Sequence, residues 1–268
     1  PEALEMILLF ESEMEKHADL IRPVRSYADI EQNQADGVMS ALLTGEEGEI
    51  TMGNPDFLYF LYKLGMRMMT LTWNYENSLG FPNVRLDKKA SASSDRYCLS
   101  QNKGLKEQGI VFLEEMERLG MIIDVSHLSD AGFYDVLEHT TKPFVASHSN
   151  ARSVCPAVRN LTDDMVRRLA ERGGITGINF CKEFLGKPDI SQNYLDQAVV
   201  HMKYLMNLGG EDFVALGSDF DGITRYHDLS DCSVMPKLVH TMKKAGLTPT
   251  QIEKICYKNT LRVYRELL

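Results

Sequence analysis

Residues 120–148 read GMIIDVSHLSDAGFYDVLEHTTKPFVASH, and their pattern is the clearest indication of the fold class. Its two short apolar runs, over residues 120–127 and 143–148, each end in a histidine. Residues 130–140 between them carry apolar side chains at helical spacing. A strand, a helix and a second strand in this order predict two parallel strands joined by a right-handed crossover.

The same alternation continues on both sides of this stretch. Predicted strands cover residues 37–44, 65–73, 120–127, 143–148, 174–180 and 213–219. Predicted helices cover residues 54–64, 105–119, 130–140, 162–172 and 194–208, followed by closing helices at 236–245 and 248–268. Near-continuous apolar strands alternating with helices indicate an α/β protein whose parallel sheet is covered on both faces.

An eight-stranded barrel and an open doubly wound sheet both fit this alternation, and polar residues at the strand ends discriminate between them. These residues follow six successive strands: Glu47, Trp73, His127, His148, Asn179 and Asp219. In a TIM barrel the site draws on several strand ends, whereas an open sheet draws on one switch point. We therefore expect a TIM-like (β/α)8 barrel. Because only six strands are predicted, we expect residues 1–268 to be one N-terminally incomplete domain with two strands preceding Pro1.

Composition excludes several classes of protein. The chain has 268 residues, a net charge of −9 and no run of Lys and Arg, so binding to nucleic acid or to an anionic membrane surface is not expected. No apolar run approaches the roughly 20 residues of a transmembrane helix. The five cysteines form no Cys-x-x-Cys pair, which favours a reducing, cytoplasmic setting. A small molecule is the expected partner.

Two histidines end successive predicted strands, and neighbouring strands lie roughly 4.8 Å apart. His127 and His148 are therefore candidate metal ligands, although each could instead be a buried histidine with local hydrogen bonds. Glu47 could bridge two divalent ions beside Gly48, or it could belong to an exposed acidic turn. Asp219 is a candidate general base or acid.

Two further features lie outside the strand ends. Arg159, in the loop after the fourth predicted strand, could hold a substrate carboxylate through two hydrogen bonds, or it could be a surface arginine. His17-Ala18-Asp19 has the spacing of a metal-binding pair, but it follows a helical pattern, so we expect no ligands there. The polar segments 80–106 and 221–235, the latter with Tyr226 and His227, are predicted loops, the first of them over the site.

Several motifs together resemble the membrane (renal) dipeptidase family of zinc peptidases, in its soluble bacterial form. They run in family order over nearly the whole chain: LLTGEEG at 42–48, LGMRMMTLTWN at 64–74, RLGMIIDVSH at 118–127, ASHSNAR at 146–152, RNL at 159–161 and GSDFDG at 217–222.

This resemblance implies a metallo-dipeptidase with two zinc ions on a TIM-like barrel, often tolerating a C-terminal D-residue and often dimeric. Glu47 would bridge the ions, and His127 and His148 would complete one zinc site. A metal-activated hydroxide would attack the peptide carbonyl, Asp219 would handle the proton, and Arg159 would bind the substrate carboxylate.

Two departures from the family pattern qualify this transfer of roles. The second zinc of the family uses a His-x-Asp pair on the first strand, which is absent here, so only one metal site can be assembled. Trp73 replaces a substrate-contacting histidine and can donate one hydrogen bond. Two alternatives stay open: another metal-dependent amidase or lactonase on the same barrel, or a non-catalytic binding relative without the first metal site.

Overall fold

A computed structural model describes residues 2–86, 97–99, 103–189, 193–224 and 228–268. The chain divides into two compact units: the first contains Pro1–Thr140 and Tyr264–Leu268, and the second contains Thr141–Val263. The expectation of a single domain stays a prediction.

The first unit alternates strands and helices, as the sequence predicts. Its helices are α1 Glu2–Lys16, α2 Tyr27–Asp36, α3 Pro55–Lys63, α4 Glu107–Leu119 and α5 Asp130–His139, with a 3-10 turn at Gly48–Thr51. Its strands are β1 Ile21–Val24, β2 Met39–Leu42, β3 Thr44–Gly45, β4 Met68–Thr70, β5 Val84–Leu86, β6 Tyr97–Leu99 and β7 Ile122–Asp124. The last segment of the chain adds the end of helix α11, which spans Asn259–Leu267.

Parallel pairing organises the strands of the first unit. β3 pairs with β4, and β4 pairs with β7, with Met69 opposite Ile123. β1 pairs in parallel with β2. The sequence analysis does not predict β1, because Arg22 and Pro23 interrupt its apolar pattern. The interior is apolar where β4 and β7 meet helix α4, and Met69, Phe112 and Ile122 are fully buried there.

The second unit continues the same alternation. Its strands are β8 Val145–Ala146, β9 Ile175–Ile178 and β10 Val214–Leu216. Its helices are α6 Asp163–Glu171, α7 Lys182–Leu185, α8 Tyr194–Gly209, α9 Met235–Lys244, α10 Pro249–Glu253 and α11 from Asn259, with a 3-10 turn at Cys232–Val234 and a π-helical turn at Lys254–Lys258. β9 lies between β8 and β10, and both pairings are parallel.

Local sequence signals set where the helices begin. Thr162 accepts a hydrogen bond from the backbone of Met165 at the start of α6. At the start of α10, Thr248 and Gln251 form a capping box with Pro249 in the first turn, which confirms the start predicted from Thr248-Pro249.

Two glycines bring the strands of the second unit close together. A Cβ at Gly177 or at Gly217 would collide with the carbonyl oxygen of Ser147. Side chains there would push apart the backbones of β8, β9 and β10, whose ends carry His148, Asn179 and Asp219. The glycines therefore set the spacing of these strand ends.

The structure confirms all six predicted strands and refines several boundaries. The predicted strand 37–44 divides into β2 and β3, and the predicted helix 248–268 divides at the π-helical turn. The predicted loop 80–106 contains the antiparallel pair β5 and β6. Residues 87–96 and 100–102 of that loop, and Tyr226 and His227 of the second loop, lie outside the described residues. None of the helices described here is long and apolar enough to cross a membrane.

Candidate metal centre

The residues singled out from the sequence all follow parallel strands. In the first unit, Glu47 follows β3, Trp73 follows β4 and His127 follows β7. In the second unit, His148 and Asp219 follow β8 and β10. The predicted placement at carboxyl ends of strands is confirmed within each unit.

His127 is held from both ring nitrogens. Its side chain is 8% exposed, with Nδ1 2.9 Å from Asn74 Oδ1 and Nε2 3.2 Å from Glu46 Oε1. An amide oxygen can only accept, so Nδ1 carries the proton in this contact, and Nε2 is the ring nitrogen that a cation beside the Glu46 carboxylate would bind. A metal-binding imidazole needs this arrangement, in which the second nitrogen donates to a fixed acceptor.

The backbone at His127 is strained. Its φ is 69°, in the left-handed region that residues with a Cβ rarely adopt. Such a conformation costs on the order of 1–3 kcal/mol and concentrates at functional sites. The strain and the fixed ring together make His127 a suitable metal ligand.

Glu47 is held by the backbone around it. Its Oε1 accepts hydrogen bonds from the Glu49 N–H at 3.0 Å and from Asn77 Nδ2 at 2.5 Å, and its Oε2 accepts one from the Trp73 N–H at 3.1 Å. Gly48 makes this turn possible, because a Cβ there would press on the carbonyl oxygen of Leu71. The carboxylate therefore has a defined orientation.

Glu46 is a candidate residue that the sequence analysis did not select. It is the carboxylate next to His127, whereas Glu47 faces Trp73 and Asn77. The sequence signal was the Glu46-Glu47 pair itself, but which of two adjacent carboxylates approaches a histidine depends on backbone torsion angles that the sequence does not show.

Trp73 lies beside the histidine at the rim of the first unit. Its ring is 37% exposed, with its centroid 6.3 Å from that of His127 and 5.5 Å from that of Tyr75. This leaves a partly exposed aromatic surface next to a metal-binding candidate.

His148 is the corresponding candidate in the second unit. It is 8% exposed, and its Nδ1 lies 2.7 Å from the hydroxyl oxygen of Ser147. When Nδ1 donates to this hydroxyl, Nε2 keeps the lone pair that a metal ion requires. The donor set of imidazole nitrogens and carboxylates suits zinc.

Asp219 is fixed by Asn179, which the sequence analysis placed at a strand end without a role. Asn179 Nδ2 donates to Asp219 Oδ2 at 3.0 Å, and the Asn179 side chain is fully buried. Asp219 also has a left-handed backbone, with a φ of 61°. A second strand-end candidate is therefore both strained and hydrogen-bonded to an asparagine.

Arg159 is buried, so it is not the surface arginine that its loop position allowed. It is 2% exposed, and its guanidinium donates to Ser149 Oγ and to the His148 carbonyl oxygen, both at 3.3 Å. The guanidinium carbon lies 5.4 Å from the ring centroid of Phe184. These contacts hold the cation close to the backbone of His148.

Two other groups are unsuited to the chemistry, one next to a strand end and one at the end of a helix. Burial, assisted by the Glu183 carboxylate, raises the pKa of the Cys181 thiol to about 12, so this thiol is protonated at neutral pH and is a poor nucleophile. His17 and Asp19 are exposed at the end of α1, where His17 lies 3.5 Å from Glu13. The prediction that this pair lies near a helix end and not at a strand end is confirmed.

The model of the family named membrane dipeptidase, peptidase family M19, matches residues 2–267. The chain belongs to the membrane dipeptidase family. The resemblance inferred from the strand-end motifs is thereby confirmed.

Two relatives illustrate the range of this similarity. An uncharacterised protein from the pqqA 5′ region of Klebsiella pneumoniae is 36% identical over 253 residues, covering 93% of this chain and 90% of the relative. An uncharacterised dipeptidase of Schizosaccharomyces pombe is 35% identical over 207 residues, covering 76% of this chain. The aligned part spans 47% of that yeast protein, which is less than half its length.

A solved relative confirms the fold class. The metallo peptidase of Rhodobacter sphaeroides, liganded with a phosphinate mimic of the dipeptide L-Ala-D-Ala, matches with a TM-score of 0.84 and 29% identity. The match covers 97% of this chain and 72% of that one. This confirms the α/β class with the TIM-like arrangement predicted from the sequence, and the family assigns the chain to the metallo-dipeptidase class of hydrolases.

Proposed function

We propose that this protein is a zinc-dependent dipeptidase that cleaves the peptide bond of free dipeptides, including those with a C-terminal D-residue. The observation that carries the proposal is His127, whose Nδ1 is held by Asn74 while Nε2 lies beside the Glu46 carboxylate. The proposal that a D-residue is accepted is supported by the ligand of the Rhodobacter relative, a mimic of L-Ala-D-Ala.

The proposed metal ligands are Glu47, His127 and His148. Each stands at the end of a strand, and each is oriented by neighbouring hydrogen bonds. Glu46 is a further carboxylate available beside His127. Bound zinc would supply Lewis acidity and a water nucleophile at neutral pH. Two ions per active site remain the expectation for the family, and the residues present account for one site.

The proposed substrate contacts are Arg159 and Trp73. A guanidinium held beside His148 suits the α-carboxylate that every free dipeptide carries. The partly exposed indole of Trp73 can donate one hydrogen bond to the substrate. Asp219 is the proposed proton carrier, taking a proton at its carboxylate and returning it to the leaving amine.

The first test is hydrolysis of L-Ala-L-Ala and L-Ala-D-Ala by the purified chain, followed as release of free alanine. We expect turnover that a chelator abolishes and that added zinc restores. Folded, zinc-loaded protein that releases no alanine would contradict the proposal. Turnover of an amide or a lactone in place of dipeptides would favour the alternative hydrolase, and zinc binding without any turnover would favour a binding relative.

The second test compares a dipeptide with its C-terminal amide. We expect Arg159→Ala to raise the KM for the dipeptide by about 100-fold, which corresponds to the loss of a charge-assisted hydrogen bond worth about 3 kcal/mol. Because the amide lacks the carboxylate, its turnover should change little. Arg262→Ala is the matched control, because Arg262 donates to the carbonyls of Gly173 and Asp212. Equal dipeptide KM values for Arg159→Ala and the unaltered protein would exclude the clamp.

Two finer proposals concern the setting of the protein. We propose a reducing, cytoplasmic location, supported by Cys155, Cys181, Cys232 and Cys256, which are free thiols in the described residues. The homodimer stays a prediction, which sedimentation of the purified protein tests.

A further inference from the structure

Asn179 occupies a position from which its side chain reaches three strand ends of the second unit. Its Nδ2 donates to Asp219 Oδ2 at 3.0 Å and to the His148 carbonyl oxygen at 3.3 Å. Its Oδ1 accepts a hydrogen bond from the Cys181 N–H at 2.7 Å. Both the nitrogen and the oxygen of the side-chain amide therefore form hydrogen bonds. The residue is uncharged and fully buried.

The backbone of Asn179 is fixed as firmly as its side chain. Asn150 Oδ1 accepts from the Asn179 N–H at 2.9 Å, and Asn150 Nδ2 donates to the Asn179 carbonyl oxygen at 2.9 Å. This reciprocal pair mimics a strand ladder beyond the end of β9. Asn179 consequently presents its amide from a rigid element.

The Asp219 carboxylate is confined on its other side by a glycine. Gly222 lies so close that a Cβ there would collide with Asp219 Oδ1. The left-handed backbone of Asp219 directs the side chain into this narrow place. The Asn179 amide and the Gly222 backbone thus restrict the carboxylate from two directions.

We propose that Asn179 is a positioning residue that fixes the rotamer of Asp219 for proton transfer. The inference rests on the proposed function, because it concerns how Asp219 serves the same reaction. A misplacement of about 1 Å at a reacting group can cost on the order of 100-fold in rate.

The test is Asn179→Asp, which keeps the shape and the acceptor for Cys181 but replaces the donor to Asp219 by a carboxylate oxygen. We expect kcat for L-Ala-D-Ala to fall about 10–100-fold while KM stays within about 3-fold, since the substitution acts on the carboxylate that transfers the proton. It also removes the hydrogen bond to the His148 carbonyl oxygen. In an Asp219→Ala background the same substitution is expected to change kcat less than about 2-fold, because residues that act as a unit are not additive.

A measurement without turnover supplements the kinetics. In the metal-free protein, Asn179→Ala and Asp219→Ala each remove the same hydrogen bond, so the double variant is expected to shift the urea midpoint less than the two single shifts added together. Asn259→Ser is the matched control. Asn259 is a buried asparagine that donates to the carbonyls of Glu211 and Val214, near the opposite end of β10. It should lower the urea midpoint and leave kcat unchanged.

The outcomes separate this inference from the proposed function. If the unaltered zinc-loaded protein hydrolyses no dipeptide, the proposed function fails. If the urea midpoint shifts of Asn179→Ala and Asp219→Ala then add in the double variant, the coupling between Asn179 and Asp219 is excluded as well. If it hydrolyses dipeptides but the kcat losses of Asn179→Asp and Asp219→Ala multiply, the positioning role is wrong. An increase in KM with unchanged kcat would also overturn it.

Discussion

His127 and Asp219 share an arrangement that recurs at the ends of two strands in different units. Each adopts a left-handed backbone, with φ of 69° and 61°, and each contacts a nearby asparagine, Asn74 or Asn179. A non-glycine residue holds such a conformation only where its surroundings fix it. The asparagines supply part of that fixation, and they do so without adding charge.

Asn74 is expected to control metal affinity through His127. Asn74→Ala removes the acceptor of the His127 Nδ1 proton, so the ring is free to change tautomer and orientation. Loss of such a partner typically weakens metal binding about 10–100-fold. Competition of the purified protein with a chromophoric chelator for zinc measures the change directly.

Two further variants make this measurement specific. Asn74→Asp keeps an acceptor for Nδ1 and should retain zinc affinity within about 3-fold of the unaltered protein. Asn33→Ala removes a buried asparagine of α2 that donates to Ser40 and should leave zinc affinity unchanged. Equal zinc affinities for Asn74→Ala and Asn33→Ala would show that the contact has no role in metal binding.

The sequence identified candidate site residues where these residues end predicted strands. It did not show the side-chain contacts that these residues make. His127, His148 and Asp219 could be chosen because each ends an apolar run. The contact of Glu46 with His127 and that of Asn179 with Asp219 depend on side-chain rotamers and on left-handed torsion angles. Neither leaves a periodic signal in the sequence.

Among the secondary-structure elements, the sequence predicted the strands with a regular apolar pattern and missed one without it. The predicted strands at 120–127, 174–180 and 213–219 contain β7, β9 and β10, because buried parallel strands are apolar on both faces. The sequence analysis missed β1 because Arg22 and Pro23 break its apolar pattern. Proline is tolerated in β1, whereas it would be excluded from the middle of a central strand. Its pairing with β2 came only from the structure.

The buried His201 links helix α8 to the end of helix α7 and to the loop after β8. His201 Nδ1 accepts from the Ala151 N–H at 3.1 Å, and Nε2 lies 3.0 Å from the Leu185 carbonyl oxygen. Burial disfavours the charged ring and lowers the pKa of His201 to about 4, well below the ordinary value for histidine of about 6.5. The ring is therefore neutral in the folded protein at pH 7.

The lowered pKa makes the folded state less stable in mild acid. Below pH 6.5 the unfolded chain binds a proton at His201 that the folded chain does not, so stability falls as the pH decreases and levels off below about pH 4. At pH 5 the loss relative to pH 7 is about 2 kcal/mol from this group. The loss should appear in urea unfolding at the two pH values.

His201→Gln separates this effect from the titration of carboxylates. The variant should be less stable than the unaltered protein at pH 7, and the difference between the two should shrink by about 2 kcal/mol at pH 5. His17→Gln serves as the control for replacing an exposed histidine. A constant difference between His201→Gln and the unaltered protein would show that His201 does not titrate as inferred.

Across the chain as a whole, the proposed metal binding would offset part of the acidic charge. The net charge is −9, and the proposed ligand Glu47 is one of the carboxylates that a cation would neutralise. Any ligand that binds only the folded chain raises its stability, by about 2.7 kcal/mol at 100 times the Kd. For a chain of this size that corresponds to a rise of about 5–10 °C in Tm.

Zinc added to the metal-free protein is therefore expected to raise Tm by about this amount, and a chelator should reverse the rise. His127→Ala and His148→Ala should each abolish most of the increment, because each removes a proposed ligand. His139→Ala, at an exposed histidine ending α5, should keep it. Calorimetry of the four proteins with and without zinc makes the comparison, and an increment that survives both ligand variants would place the metal on other residues.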